Sequence, residues 1–149
     1  MRSTDPLDRF DLQRFIQAQN PVFERVQDEL MAGRKRSHWM WFIFPQFTGL
    51  GDSEMSRHFA IRSAAEALAY LEHPVLSARL RNCTQWVMDI EQRPIAAIFG
   101  HPDDLKFHSS MTLFAQVDTE DDLFSRALDR YFHGIPDEWT LTLLDSKQA

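Results

Sequence analysis

The run WMWFIF, residues 39–44, constrains this chain more than any other segment. All of its residues are large and apolar, so both faces of the run are hydrophobic if its side chains alternate as in a strand. Aromatic side chains dominate protein cores, and a chain in water hides such a segment from the solvent. We therefore predict that residues 39–44 cross a hydrophobic core as a buried strand or extended segment.

The segments around this run carry helix patterns. After Pro74, apolar residues recur in alternating steps of four and three, the spacing of one helical stripe that faces a core. The residues of this stripe are Leu76, Leu80, Cys83, Val87 and Ile90. Ser63 and Glu66 have the spacing of a capping box at the start of another helix. The composition agrees, since 12 Phe and 4 Trp accompany few β-branched residues.

These patterns predict a mainly α protein. No repeat or linker-like run divides the chain, so we expect residues 1–149 to form a single compact domain. Its ordered core would span about residues 8–145. We predict about seven helices around an aromatic core and at most a short strand or two, at WMWFIF and at TLTLL, residues 140–144.

The balance of charges limits the classes of partner. With 16 basic and 22 acidic residues, the formal net charge is −6, which gives no general attraction to nucleic acid or to anionic lipid. The apolar runs are too short for a membrane span, and the N-terminus lacks the apolar core of a signal peptide. We therefore expect a cytoplasmic protein without a membrane or nucleic-acid partner.

The cysteine and histidine patterns argue against several chemistries. Cys83 is the single cysteine and lies on the apolar stripe, where a thiol is normally inert, and it fits a reducing compartment. The six histidines show no zinc-ligand spacing, and no serine stands in a nucleophile elbow. We expect no metal and no cofactor, and whether the protein is an enzyme stays open.

A basic run and a glycine loop flank residues 39–44. The candidate ligand-binding residues of this region are Lys35, Arg36, His38, Trp39, Gly49 and Gly51. The cations would attract an anion, the indole would stack on a base, and the glycines precede a helix start whose N–H groups can receive a phosphate. An ordinary surface loop beside a core segment explains each feature separately, and the loop lacks the spacing of known nucleotide motifs.

A second candidate region follows the sequence HPDD. Lys106, Ser109 and Ser110 have the spacing of one helix face, which we place roughly opposite the large apolar residues of the same helix. A lysine with two hydroxyls can bind a phosphate or the edge of a ribose. The alternative is a solvated face on which Asp103 pairs with Lys106.

The order of motifs resembles the uncharacterised bacterial family called domain of unknown function 1810. The residues that carry the resemblance are FDLQRFIQAQ, ELMAGRKRSHWMWFIFPQ, GLGDSEMSRHFAI, YLEHPVLSARL, IFGHPDDLKFHSSMTLF and LDRYFHG. The resemblance implies a compact, mostly helical fold without assigned catalytic residues. Some members carry the label calpastatin, but that inhibitor is a long disordered chain and this composition is that of a packed domain.

A weaker likeness in pattern links DDLKFHSSMTLFAQVDTEDDLFSRALDRYF to domains of the NADAR type, which act on N-glycosidic bonds of ribosides or ADP-ribose. A site of that type would need a glutamate near the early aromatic motif, and this chain has no clear counterpart of that glutamate. The likeness implies a ligand of the ADP-ribose or riboside class.

Two classes of function remain. The first is the binding or processing of an anionic nucleotide-like ligand, and the second is a non-catalytic module that binds a protein partner. The first leads to a cleft hypothesis: the head group of Lys35 or Arg36 should lie within about 10 Å of Lys106, with a pocket of about 300–1,000 Å³ between them and the face of Lys106, Ser109 and Ser110 as the other wall.

Overall fold

Ten helices account for most of residues 8–148, the part of the chain that the computed structural model describes. In chain order they are α1 (Gln13–Gln19), α2 (Phe23–Met31), α3 (Met40–Ile43), α4 (Glu54–His58), α5 (Ala64–Glu72), α6 (Pro74–Met88), α7 (Ile95–Phe99), α8 (Asp103–Val117), α9 (Leu123–Phe132) and α10 (Glu138–Gln148). The longest, α6 and α8, have 15 residues each. No helix within these residues has the length and apolar character that crossing a membrane requires. The protein is mainly α as predicted, with ten helices instead of about seven.

Local capping explains where α5 and α6 begin. The Ser63 hydroxyl accepts the backbone N–H of Glu66 at 3.0 Å, so the predicted cap of α5 is confirmed. At the start of α6, the Nδ1 atom of His73 accepts the N–H of Val75 at 3.2 Å. Pro74 takes the first position of α6, where its missing N–H leaves no helical hydrogen bond unmade.

The core is built around α8. This helix packs against α5, α7, α9 and α10, and its residues 109–114 are all buried. The rings of Phe44, Phe99 and Phe107 contact one another with centroids 4.9 to 5.7 Å apart. The predicted stripe of α6 is buried at Leu76, Leu80, Cys83 and Val87, whereas its last predicted member, Ile90, lies beyond the end of the helix and is only partly buried. Aromatic and aliphatic side chains from both halves of the chain thus share one core.

Residues 39–44 form a helical turn and not the predicted strand. α3 occupies Met40–Ile43, and the N–H of Phe44 donates to the carbonyl oxygen of Met40 at 3.1 Å. Buried backbone groups need partners, and a helical turn supplies its own, whereas a strand needs a neighbouring strand. Residues 8–148 contain one isolated β-bridge and no sheet. The second predicted strand, TLTLL, is also wrong, since it lies within α10.

A buried ion pair ties α1 to α5 and to the loop that precedes it. Arg14 Nη2 lies 2.8 Å from Glu66 Oε2, and both side chains are almost fully buried. The guanidinium also donates to four backbone carbonyl oxygens, those of Phe10, Asp11, His58 and Ala60. A buried charge pair is tolerated when its remaining polar atoms are hydrogen-bonded, so we assign this pair a structural role.

Candidate functional site

A pocket opens where α8 and α10 meet the loop that follows α3, and we call it the α8–α10 pocket. Its volume is about 380 Å³. The lining residues that matter below are Gln46, Leu50, Gly51, Leu105, Lys106, His108, Ser109, Asp137 and Trp139. The volume lies in the range of small-molecule sites, and the predicted candidates Gly51, Lys106 and Ser109 are among the lining residues.

Two lysines share one carboxylate beside this pocket. Lys35 Nζ lies 2.9 Å from Asp103 Oδ2, and Lys106 Nζ lies 3.5 Å from Asp103 Oδ1. The two ammonium groups therefore lie within about 10 Å of each other, as the cleft hypothesis requires, but Lys35 does not line the pocket, so the pocket does not lie between the two lysines as predicted. The Lys35 side chain is 8% exposed and that of Lys106 is 24% exposed. Because one carboxylate balances one cation, the Lys35–Asp103–Lys106 cluster keeps a net positive charge, and Lys106 is the member that lines the pocket.

Aromatic rings hold both lysines in place. Lys35 Nζ lies 5.2 Å from the ring centroid of Trp39, and Lys106 Nζ lies 5.5 Å from that of Trp41. Both distances allow a cation–π attraction. Trp39 is buried in the core, while Trp41 is only partly buried. The expected ligand-stacking role of Trp39 is therefore not open to it, because core residues surround its ring.

The loop that carries Lys35 is organised by one carboxylate. Glu29 Oε1 accepts the backbone N–H groups of Arg36 at 2.7 Å and Ser37 at 2.9 Å, and the indole N–H of Trp39 at 2.9 Å. Glu29 Oε2 accepts the Ser37 hydroxyl at 2.5 Å. Four hydrogen bonds to a buried side chain hold residues 36–39 in one conformation, and they place the loop against α2.

These hydrogen bonds also control the protonation of Glu29. Burial raises the pKa of this carboxyl, but the bonds from Ser37, Arg36 and Trp39 favour the charged form and bring the pKa below its ordinary value. The side chain therefore acts as an anion at neutral pH.

The two serines of α8 have different surroundings. The Ser109 hydroxyl donates to the carbonyl oxygen of Leu105 at 3.1 Å and approaches Asp137 Oδ2 at 3.2 Å. Ser110 is fully buried, and its hydroxyl has no hydrogen-bond partner among residues 8–148. Successive helix residues are rotated by about 100°, so Ser110 lies only about 60° from Phe107 and faces the core. The predicted polar face is therefore wrong for Ser110.

The other predicted residues lie away from the pocket lining. The side chains of Arg36 and His38 are exposed, and neither contributes to the lining. Gly49 has a φ of +96°, and a Cβ atom there would lie 3.3 Å from Leu143. That glycine serves the turn that brings Gly51 to the pocket.

Three residues that matter here were missed by the sequence reasoning. Trp139 is 69% exposed at the pocket although it is a large aromatic residue. Gln46 lines the opposite wall, and its side-chain amide forms no hydrogen bond within residues 8–148. Glu29 gave one usable signal, since it falls three residues after Val26 on the inner stripe of α2. A carboxylate at an inward position indicates a cluster of hydrogen-bond donors nearby.

Comparisons with known proteins find a family match and a solved structure with the same helical fold. The chain matches the model of the family described as "Protein of unknown function (DUF1810)" over residues 9–144. It is similar to the crystal structure of the conserved hypothetical protein Rv1873 from Mycobacterium tuberculosis, with a TM-score of 0.91 and 50% sequence identity over 93% of this chain and 99% of that chain. A comparison with curated protein sequences finds no match. The likeness to NADAR-type domains receives no support from these findings.

Proposed function

Because the chain belongs to the DUF1810 family, whose function is unknown, we propose a function from its own site: the α8–α10 pocket binds a small anionic ligand with a planar ring, of the nucleotide class. The observation that carries this proposal is the combination of a cation and a free indole on one small cavity. Lys106 supplies the charge, and the exposed ring of Trp139 supplies the stacking surface.

The charge at the pocket favours an anion over a cation. One carboxylate, that of Asp103, contacts both Lys35 and Lys106, so it balances only one of their two positive charges. Lys106 can therefore bind an anionic ligand group while it keeps its contact with Asp103. The ring of Trp41 fixes the ammonium group from behind. Asp137, the acid of the lining, is engaged by Ser109 and by the hydroxyl of Thr140 at 2.6 Å, so its charge is spread over donors within the protein.

The remaining lining favours a flat ring with polar edges. An indole that is mostly exposed in the free protein gains by stacking, because an aromatic contact removes its faces from water. The free amide of Gln46 can donate and accept at the edge of a base or ribose. The pocket thus offers a charge, a stacking surface and a hydrogen-bonding edge, which are the three elements of nucleotide recognition.

A thermal-shift and calorimetric titration with AMP, ADP-ribose and NAD tests the proposal. A ligand at a hundred times its dissociation constant stabilises the folded state by about 2.7 kcal/mol, which raises the Tm by about 5–10 °C for a chain of this size. We expect Lys106→Gln and Trp139→Ala each to abolish most of that shift.

Matched controls separate the pocket from general surface effects. Arg34→Gln removes an exposed cation outside the pocket, and Met31→Ala removes a side chain that is 67% exposed on α2. Both should keep the ligand-induced shift of the wild type. If none of the three ligands shifts the Tm, or if the control variants lose the shift equally, the proposal is wrong.

One observation favours the alternative of a protein-binding module. The large apolar side chains of Leu105, Ile135 and Trp139 are exposed. They lie at the same end of the molecule, because Leu105 and Trp139 line the pocket and the carbonyl oxygen of Ile135 accepts a hydrogen bond from His108 of α8. Such a patch is typical of interaction surfaces. If nucleotides give no shift and Trp139→Ala abolishes a concentration-dependent self-association in sedimentation equilibrium, the module is the better description.

A further inference from the structure

A second hollow, away from the α8–α10 pocket, is lined by two arginines. It lies between residues 92–96 and α9 and has a volume of about 420 Å³. Arg93 and Arg130 face it together with Gln92 and Tyr131, and none of the acidic residues within 8–148 lines it. We propose that this hollow, the Arg93–Arg130 hollow, binds a phosphate group, either as inorganic phosphate or as a phosphate monoester.

Neither guanidinium forms an ion pair within residues 8–148. The ion pairs formed by the described residues leave out both Arg93 and Arg130, although the chain has more acidic than basic residues. Asp89 and Glu91 line a neighbouring hollow with Arg93, but neither forms an ion pair with it among residues 8–148, and the Asp89 carboxylate accepts the side-chain amide of Gln85 at 2.8 Å. Two cations that share one hollow repel each other, and an anion between them removes that repulsion.

Both guanidinium groups are held in place before any ligand binds. Arg93 Nη1 donates to the carbonyl oxygen of Gly33 at 2.7 Å, and Arg130 Nη2 donates to that of Ile90 at 2.7 Å. Each bond uses one N–H and leaves the other donors of the fork for a ligand. Arg130 also lies over the ring of Tyr131, 5.4 Å from its centroid. Groups that are fixed in this way lose little side-chain entropy on binding.

The backbone at Gly33 is adapted to the position of Arg93. Gly33 has a φ of +85°, and a Cβ atom there would lie 3.1 Å from Arg93 Nη1. A larger residue would therefore strain the turn and press on the guanidinium. The same glycine directly precedes the basic run of residues 34–36, so the bond from Arg93 to Gly33 links Arg93 to that segment.

The chemistry of two guanidinium forks suits a phosphate group. A phosphate offers several charged oxygens to parallel N–H donors, and arginine is the side chain best matched to that geometry. The hollow shares no lining residue with the α8–α10 pocket, so the two sites can be tested separately.

The test is a titration of ¹⁵N-labelled protein with inorganic phosphate and with glycerol phosphate at constant ionic strength. The Nε–Hε resonances of the arginines report which guanidinium groups bind, and the same titrations give the Kd. The variants are Arg93→Gln and Arg130→Gln. The matched control is Arg126→Gln, which lies on the same helix as Arg130 but pairs with Asp122 at 2.9 Å and does not line the hollow.

We expect each of Arg93→Gln and Arg130→Gln to raise the Kd by about tenfold or more, because each removes charge-assisted hydrogen bonds to the anion. Arg126→Gln should leave the Kd unchanged. Glycerol phosphate binding as tightly as free phosphate would identify a monoester site, and tighter binding of free phosphate would identify an inorganic phosphate site.

Equal weakening by Arg126→Gln would show a general effect of charge and overturn the proposal. So would resonance changes that are confined to Lys106 and its neighbours. Arg130→Gln keeps the test valid if Arg93→Gln proves unstable, because Arg130 is exposed and its loss leaves the turn at Gly33 intact.

Discussion

Replacing Glu29 by glutamine tests whether one carboxylate holds the loop that carries Lys35. Glu29 accepts four hydrogen bonds, three of them from N–H groups at 2.7 to 2.9 Å. Glutamine has nearly the same shape and keeps one acceptor oxygen, but it loses the negative charge. A hydrogen bond to a charged group contributes about 1 kcal/mol more than a neutral one, and the backbone donors here are only partly buried. We expect Glu29→Gln to lower the free energy of unfolding by about 2 kcal/mol.

Urea denaturation at neutral pH measures this loss, with Glu24→Gln as the matched control. Glu24 lies in the first turn of the same helix and is exposed, so its replacement should change the free energy by less than about 0.5 kcal/mol. The loss in Glu29→Gln should appear as a lower urea midpoint with an unchanged slope.

The pH dependence of the free energy of unfolding provides an independent test of the role of Glu29. The folded pKa of Glu29 is below its ordinary value of 4.5, so the carboxylate stabilises the fold fully above that value. This contribution is lost as the pH falls through the lowered folded pKa. The difference in stability between the wild type and Glu29→Gln should therefore be constant near neutral pH and shrink on acidification below 4.5. A loss under about 0.5 kcal/mol, or a difference that does not change on acidification, would refute the reasoning.

Three further substitutions and one labelling reaction have simple expected outcomes. Ser110→Ala should leave the Tm unchanged or raise it, because it removes a buried hydroxyl without a partner, whereas Ser109→Ala should cost about 1 kcal/mol in the same melts. Gly33→Ala should destabilise by about 1–2 kcal/mol in urea, because its φ is +85° and Arg93 lies close. Burial raises the pKa of the Cys83 thiol, so at pH 8 a thiol reagent should label the native protein much more slowly than the unfolded protein. Rapid labelling of the native protein would contradict the buried position.

Local signals in the sequence determined most of the helices. The stripe of α6, its start at Pro74 and the Ser63 cap of α5 are confirmed, because helical hydrogen bonds and side-chain periodicity join residues three or four positions apart. The same signals led to the wrong prediction of a strand at residues 39–44. A run that is apolar on every side carries no period, so only its neighbours decide between a strand and a helical turn.

The orientation of α8 shows where local reasoning ends. A helix in the centre of a core is buried on most sides, and polar residues such as Ser110 and Thr112 then lie inside although the sequence suggests a polar face. The burial of Glu29 is likewise decided by tertiary packing. Its partners follow it in a loop without periodic structure, so their convergence depends on how that loop folds back on α2.

Sequence patterns alone were enough to predict a mainly α protein with an aromatic core, and they led to the hypothesis that Lys35 and Lys106 lie close together. Tertiary packing decided the rest: it brought Gln46, Lys106 and Trp139 to one pocket from three distant parts of the chain. It also placed both lysines on Asp103 and left Trp139 exposed. Local hydrogen bonds fix a helix wherever it lies, but a pocket forms only from the relative positions of helices, which depend on how all of the core side chains fit together.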